Sequence, residues 1–478
     1  MSVERQAAAG LKWGSIAKLG GQVVSWAVTL AVFRLLSPED YGLMALSMVL
    51  LSIVAGVAEF GLGSSLIQMP KLDARDMARV GGALAMLNIG CGLAVALGAP
   101  VFAKLLGDIR LSPLLRVLSL QFLLTAIESV PLSLAQRNMD FKRLAGIELA
   151  ATLLGSLVTL LLAWLGGGVW ALVIGNLAGA ALRTLLYVAL NGFTWPSFNF
   201  RGIGPHLRFG GAVTITRFLW QLTSQADLLI AGRVLTREAI GFYSVSMHLA
   251  TLPMTKVMGI LNQVAFPAVA RLQDELPRLR QRLVDALRLL ALAAVPGMWG
   301  ISSIAAEFVD VVLGERWRDS IVPLQVVSFV APLRMLGMVL ATALTGVGRA
   351  DLELRNTIVG AIVLPSAFFV GAQWGLDGLA FSWCCAVPIV LAMNFPRTLG
   401  ALGMSCGDLM AATRGPIAAG IAMYAAVTLA RRPLSELDEL TRLLILIPVG
   451  AAAYLCVVQL MDRTIWSVAR KFAAAVRG

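Results

Sequence analysis

The sequence predicts an all-α polytopic membrane protein with about fourteen transmembrane helices, two parallel six-helix lobes around a central cavity and two additional C-terminal helices. Three observations carry that expectation. Apolar runs of about twenty residues recur along the chain, each long enough to cross roughly 30 Å of hydrocarbon. Hydrophobic residues make up 58% and charged residues 14% of the 478, with a mean hydropathy of +0.81, a surface water could not solvate. The first half of the chain also echoes in the second.

The spans read as 13–35, 41–66, 80–106, 114–135, 144–165, 169–190, 207–232, 240–268, 286–312, 320–346, 355–374, 377–396, 409–430 and 442–461. The connections between them carry most of the charge. Arg5 and Lys12 precede the first span and Arg34 ends it, while Ser37-Pro38-Glu39-Asp40 opens the second with an N-cap hydroxyl, a first-position proline and acids that complement the dipole. Lys71, Arg75 and Arg79 introduce the third; Lys104, Arg110 and Arg116 separate it from the fourth; Arg137, Lys142 and Arg143 lead into the fifth. Arg183, Arg201 and Arg208 are counted with the connection into the seventh span, and Arg233 and Arg237 with Thr236 and Glu238 join the seventh to the eighth. Five arginines between 271 and 288 precede the ninth, Arg316 and Arg318 the tenth, and Arg349 and Arg355 the eleventh. Arg397 and Arg414, then Arg431, Arg432 and Arg442, and finally Arg463, Arg470, Lys471 and Arg477 bracket the last helices.

Twenty-four Lys and Arg fall on the side of the termini and 11 on the other, so the positive-inside rule places both termini in the cytoplasm. This bias accounts for much of the +12 net charge, and with no basic–aromatic stripe nucleic acid is not an expected partner.

The echo is specific. Between 17–48 and 216–247, ten of 32 positions are identical without gaps, where chance gives roughly two or three at this composition. Arg34, Leu36, Glu39, Gly42, Ser47 and Met48 recur as Arg233, Leu235, Glu238, Gly241, Ser246 and Met247. An even number of helices per unit returns the chain to its starting side, so the copies are parallel repeats about an axis along the membrane normal, the general plan of alternating-access carriers. The expected divisions are 1–200, 201–400 and a tail of two helices over 401–478.

Charges inside hydrocarbon are costly and therefore candidates for function. Lys18 and Arg217 occupy matched positions of the two copies; with Lys256 and Arg334 they would build a cationic cavity for a phosphate-bearing or acidic substrate. Glu59, Glu128 and Asp227 are coupling candidates, and Arg34 and Arg233 candidates for gating, although both also suit the ends of helices. Snorkelling or buried pairs such as Glu59 with Lys256 are the plainer alternative. His248 reads as a hydrogen-bonded packing residue.

No enzyme signature is present: GxSxG, HExxH and GxxxxGK[ST] are all missing, and the outward loops are short for a polymerase holding an acceptor. Cys91, Cys384, Cys385, Cys406 and Cys456 show no CxxC spacing, and with only His206 and His248 to join them no metal site is expected. The N-terminus lacks the apolar core of a cleaved signal peptide.

"RLLSPEDYGLMALSMVLLSIVAGVAEFGLGSSLIQ", "QRNMDFKRLAGIELAATLLGSLVTLLLAWLGGGVWALVIGNL" and "FPAVARLQDELPRLRQ" resemble segments of bacterial polysaccharide-biosynthesis flippases, the Wzx-type polysaccharide transport family of the MATE-like flippase superfamily. The resemblance runs over essentially the whole chain. It implies translocation of an undecaprenyl-pyrophosphate-linked oligosaccharide across the bacterial inner membrane for cell-surface polysaccharide synthesis, a cationic cavity for the pyrophosphate, proton or sodium coupling, no cofactor, a monomer, and a polysaccharide polymerase and chain-length regulator as partners. Lys18, Arg217 and Lys256 fall where relatives place cavity cations. Glu59 stands in a helix where lipid II flippases use a cation, which argues against lipid II as the cargo. A multidrug antiporter of the same architecture and a membrane polysaccharide polymerase are the alternatives.

Overall fold

A computed structural model describes residues 27–58, 66, 73–138, 141–199, 218–271 and 275–461. The chain divides into two compact units, Met1–Gly241 and Phe242–Gly478. Every regular element described is helical, and ten helices among the described residues are long and apolar enough to span a membrane. Side chains such as Leu97 and Leu460, 79% and 81% exposed on helices of that kind, are solvated by lipid tails rather than water.

In the first unit a helix over 27–35 is followed by α1 (Pro38–Ala58), α2 (Ala74–Leu105), α3 (Leu111–Leu118), α4 (Leu120–Arg137), α5 (Phe141–Trp164), α6 (Val169–Asn191) and α7 (Ala226–Val234). The start of α1 is the one its residues dictate. Ser37 accepts from the Asp40 backbone N–H at 3.2 Å while the Asp40 carboxylate takes the Ser37 N–H at 3.0 Å, a reciprocal cap with proline at the first helical position. The span expected over 114–135 is two helices broken at Ser119, whose hydroxyl donates to the Arg116 carbonyl. Antiparallel α5 and α6 approach through small residues: a Cβ on Gly155 or Gly179 would press on the other helix's backbone.

In α8 (Arg237–Arg271) the boundary between units falls after the first turn. The second unit continues with α9 (Leu276–Ser303), α10 (Ala305–Phe308), a π turn over Val309–Leu313, a 3₁₀ turn over Glu315–Ser320, α11 (Ile321–Gly346), α12 (Ala350–Ala372), α13 (Gly375–Ala401), α14 (Cys406–Arg431) and α15 (Glu439–Met461). The single span expected over 286–312 is thus a helix that begins ten residues earlier and breaks at Ser303. Its stripe of Leu279, Leu283, Leu287 and Leu290 lies on one helical face and meets Met335, Val339 and Ala343 of α11 and Leu399 and Leu402 at the end of α13. The last two helices join α9 through Val295, Ala419, Met423, Tyr454 and Val458, and the Tyr454 hydroxyl donates to the Leu292 carbonyl at 3.1 Å.

Candidate functional site

Three clusters of polar groups stand out. The first joins the two copies of the repeat within the first unit. Gly42 of α1 and Gly241 of α8 sit so close to each other's helix that a Cβ on Gly42 would strike the Arg237 carbonyl, and one on Gly241 the Pro38 carbonyl. Each residue of these pairs is its counterpart's partner displaced by 199 positions, so the contact is reciprocal, as a pseudo-two-fold axis requires.

Beside this crossing Arg237 gathers three segments. Its Nε donates to the Asp108 carboxylate at 3.3 Å, Nη1 to the Gly232 carbonyl at 2.8 Å, and Nη2 to the Leu106 carbonyl. Leu106 follows α2 and Gly232 lies in the last turn of α7, so the guanidinium satisfies carbonyls left open at two helix C-termini. Asp108 also takes Arg110 in a two-point contact at 3.1 and 2.8 Å, and Arg110 reaches Glu39 at 2.7 Å. Burial alone raises the Asp108 carboxyl, but the Arg110 hydrogen bonds and the charges of Arg110 and Arg237 outweigh it and hold it below the ordinary carboxylate range. The cluster is therefore an ionised lock.

The second cluster lies inside the first unit's bundle. Glu128, buried on α4, accepts from Arg183 Nη2 at 3.0 Å and Nε at 3.2 Å and from the Thr184 hydroxyl at 2.9 Å. The buried Tyr187 donates to Glu148 at 3.2 Å. Arg183, counted from sequence with the connections, lies within α6 because its carboxylate partner on α4 compensates its charge there.

The third is in the second unit. The Arg334 guanidinium lies over the Trp383 ring, 4.0 Å from the centroid, and Trp383 Nε1 donates to the buried Tyr243 hydroxyl at 2.7 Å. Phe368 packs tilted against Trp383, with 4.8 Å between ring centroids. An aromatic slot adjoins the extra helices: Trp299 stacks on Phe329 at 4.8 Å, and Tyr424 meets Phe329 edge-on at 6.4 Å.

Of the residues expected from sequence, Lys18, Glu59 and Arg217 lie outside the described residues, and Lys256 belongs to α8 with its side chain outside them too. Asp227 is buried at the start of α7, where it accepts from the Leu228 N–H at 2.8 Å. Arg34 and Arg233 are exposed at the ends of their helices, and the cap expected at Thr236 forms with the Ala239 N–H at 3.2 Å. His248 is exposed rather than packed, since Tyr243, Ser246, Ala250 and Met254 define the buried face of α8 and His248 lies off it. Sequence reading missed Asp108, Arg237, Trp383 and Tyr243. Arg237 stands where the other copy has Pro38, between the matched pairs Leu36/Leu235 and Glu39/Glu238. Among the described residues no group of His, Cys, Asp and Glu could hold a metal ion.

Comparison with known proteins adds a family and a fold. The family model described as "Polysaccharide biosynthesis protein" matches residues 31–322. The lipopolysaccharide biosynthesis protein WzxC of Escherichia coli is 26% identical over 78% of this chain and 76% of its own length. The teichuronic acid biosynthesis protein TuaB of Bacillus subtilis is 26% identical over 82% of both chains, and the succinoglycan biosynthesis transport protein ExoT of Rhizobium meliloti 25% over 80% of this chain and 78% of that one. In fold, the chain is similar to a lipid II flippase MurJ in an inward closed conformation, with a TM-score of 0.75 at 14% identity over 95% of this chain and 99% of that one. It is also similar to an inward-facing multidrug resistance MATE transporter of the MOP superfamily, with a TM-score of 0.63 at 16% identity over 80% and 96%.

Proposed function

Because this chain belongs to the polysaccharide biosynthesis protein family, we propose that it is the flippase of a cell-surface polysaccharide pathway, not an enzyme. It carries an undecaprenyl-pyrophosphate-linked oligosaccharide across the bacterial inner membrane by alternating access, with both termini in the cytoplasm. The observation that carries this reading is the family match over most of the two repeats, supported by relatives named for the synthesis or transport of polysaccharides along about four-fifths of the chain.

The phosphates are bound by Lys18, Arg217, Lys256 and Arg334. Stacking on Trp383 supports that role for Arg334: the aromatic face fixes the plane of the guanidinium. The polyprenyl tail stays in lipid, against the aromatic slot of Trp299, Phe329 and Tyr424 that adjoins the two extra helices. The ionised lock around Arg237 closes the side opposite the termini and opens to release the sugar. A proton or sodium gradient drives the cycle, and the chain works as a monomer beside a polymerase and a chain-length regulator.

The test is polymer export in cells that lack their own flippase, at equal protein level. Wild-type export with Arg217→Ala, Lys256→Ala and Arg334→Ala each in place would remove the cationic cavity. Drug resistance without any polymer defect would replace the cargo with a cationic drug.

A further inference from the structure

Glu353 and Asn356 lie one helical turn apart on α12, on the face that meets α13. The Asn356 amide nitrogen donates to the Thr398 hydroxyl at 2.9 Å, and the Asn394 amide nitrogen to the Asn356 carbonyl at 3.4 Å; Thr398 and Asn394 are buried. Arg397 Nη2 takes the Asn394 side-chain oxygen at 2.9 Å. In this network two acceptors shut from solvent receive no hydrogen bond from the described residues: Glu353 Oε2 and Asn356 Oδ1. A buried carboxylate oxygen and a buried amide oxygen left bare are costly together. One added proton supplies what both lack, since a neutral carboxyl gains an O–H donor for an amide acceptor.

We infer that Glu353 is held as the neutral acid beside Asn356 and is the residue through which the second unit takes up and releases a proton. This rests on the transport reading and names the ion and the group. The surroundings are suited to it. On α13, Arg397 donates to Asn394; α11 carries Arg334, twelve residues before its end; and Leu352 joins a cluster with α9, which carries Arg278, Arg280, Arg282, Asp285 and Arg288, and with α14, which carries Asp408 and Arg414, Arg280 and Asp408 pairing with each other at 2.7 Å. On α12 itself, Asp351 is paired with Arg349 at 3.1 Å and Arg355 is exposed. Among the described residues none of these groups forms an ion pair with Glu353. On release, the O–H bond breaks, the proton passes to water at the end of α12 that the charge bias assigns to the cytoplasm, and the electron pair stays on the carboxylate.

Infrared spectra of the full-length protein in lipid nanodiscs, without cargo, test this independently of flipping. A carbonyl-stretch band of a neutral carboxyl is expected in wild type, lost in Glu353→Gln and shifted in Asn356→Ala, with no response to replacing choline by sodium. Glu353→Gln mimics the neutral acid in shape and donor, so it should melt with the wild type; should it fail to fold, Glu353→Asp must shift the band. A band unchanged in Glu353→Gln or Glu353→Asp overturns the inference and leaves the flippase reading standing. Sodium protection against heating that Glu353→Gln abolishes also overturns it, making the site one for a metal cation. Loss of the flippase reading would show instead as wild type failing to restore export.

Discussion

The two copies of the repeated hairpin share a shape and differ in chemistry. Both place a hydroxyl cap before a helix, Ser37 for α1 and Thr236 for α8, and both place a glycine four residues past the first helical position, Gly42 and Gly241. Yet where the first copy has Pro38, which can donate no hydrogen bond from its backbone, the second has Arg237, which donates to Asp108, Gly232 and Leu106. The first copy's capping acid, Asp40, is Ala239 in the second. The two copies share a symmetric contact of backbones, and a one-sided ionic lock lies beside it. The backbone contact is unforgiving because carbonyls cannot move aside; the ionic part is adjustable.

That contrast predicts a ranking. Gly42→Leu or Gly241→Leu is expected to abolish the folded protein, since even a methyl group meets a carbonyl and overpacking by one or two methylenes already costs about 1–3 kcal/mol; thermal unfolding in detergent and membrane yield measure this, and two well-folded variants would break the claim of a symmetric crossing. Next comes Arg237→Met, expected to cost about 2–3 kcal/mol because it leaves two helix-end carbonyls without their donor and takes one of the two guanidinium partners from Asp108. Pro38→Ala at the matching position should cost under about 1 kcal/mol. Equal effects at 38 and 237 would mean the copies had not diverged in function.

The lock also has a pH signature. A carboxyl depressed on folding stabilises above its unfolded value of about 3.9 and loses that contribution as pH falls through the folded value. Stability from Asp108 should therefore be level from pH 8 to about 5 and decline only below about 4, and Asp108→Asn should flatten that acid limb. The smallest effects belong to the caps. Ser37→Ala removes a reciprocal cap and should cost about 1 kcal/mol, and Thr236→Ala, which removes one hydrogen bond, about half that.

Much of this was legible in the chain. Hydropathy set the class of fold, and the cap at Ser37 located the start of α1 to the residue. Arg334 was marked by charge at depth, but its partner Trp383 was one of 11 tryptophans with nothing to single it out. Arg183 fell inside the span expected over 169–190 yet was counted with the cations of the connections, and its carboxylate partner, Glu128, is 55 residues away. Glu353 precedes the span expected over 355–374, so hydropathy gave it no depth; it lies in the first turn of α12.

The sequence by itself determined that the chain is helical and embedded in a membrane, that the hairpin is written twice and where α1 begins, because these follow from local hydropathy, a fixed offset and capping. Only the tertiary structure decided which charges meet: that Arg237 closes on Asp108, that Arg183 neutralises Glu128, that Arg334 lies on Trp383 and that Glu353 and Asn356 are left as buried acceptors. A charge is priced by its nearest partner in a medium of low dielectric, and that partner is set by packing between distant helices rather than by neighbours along the chain.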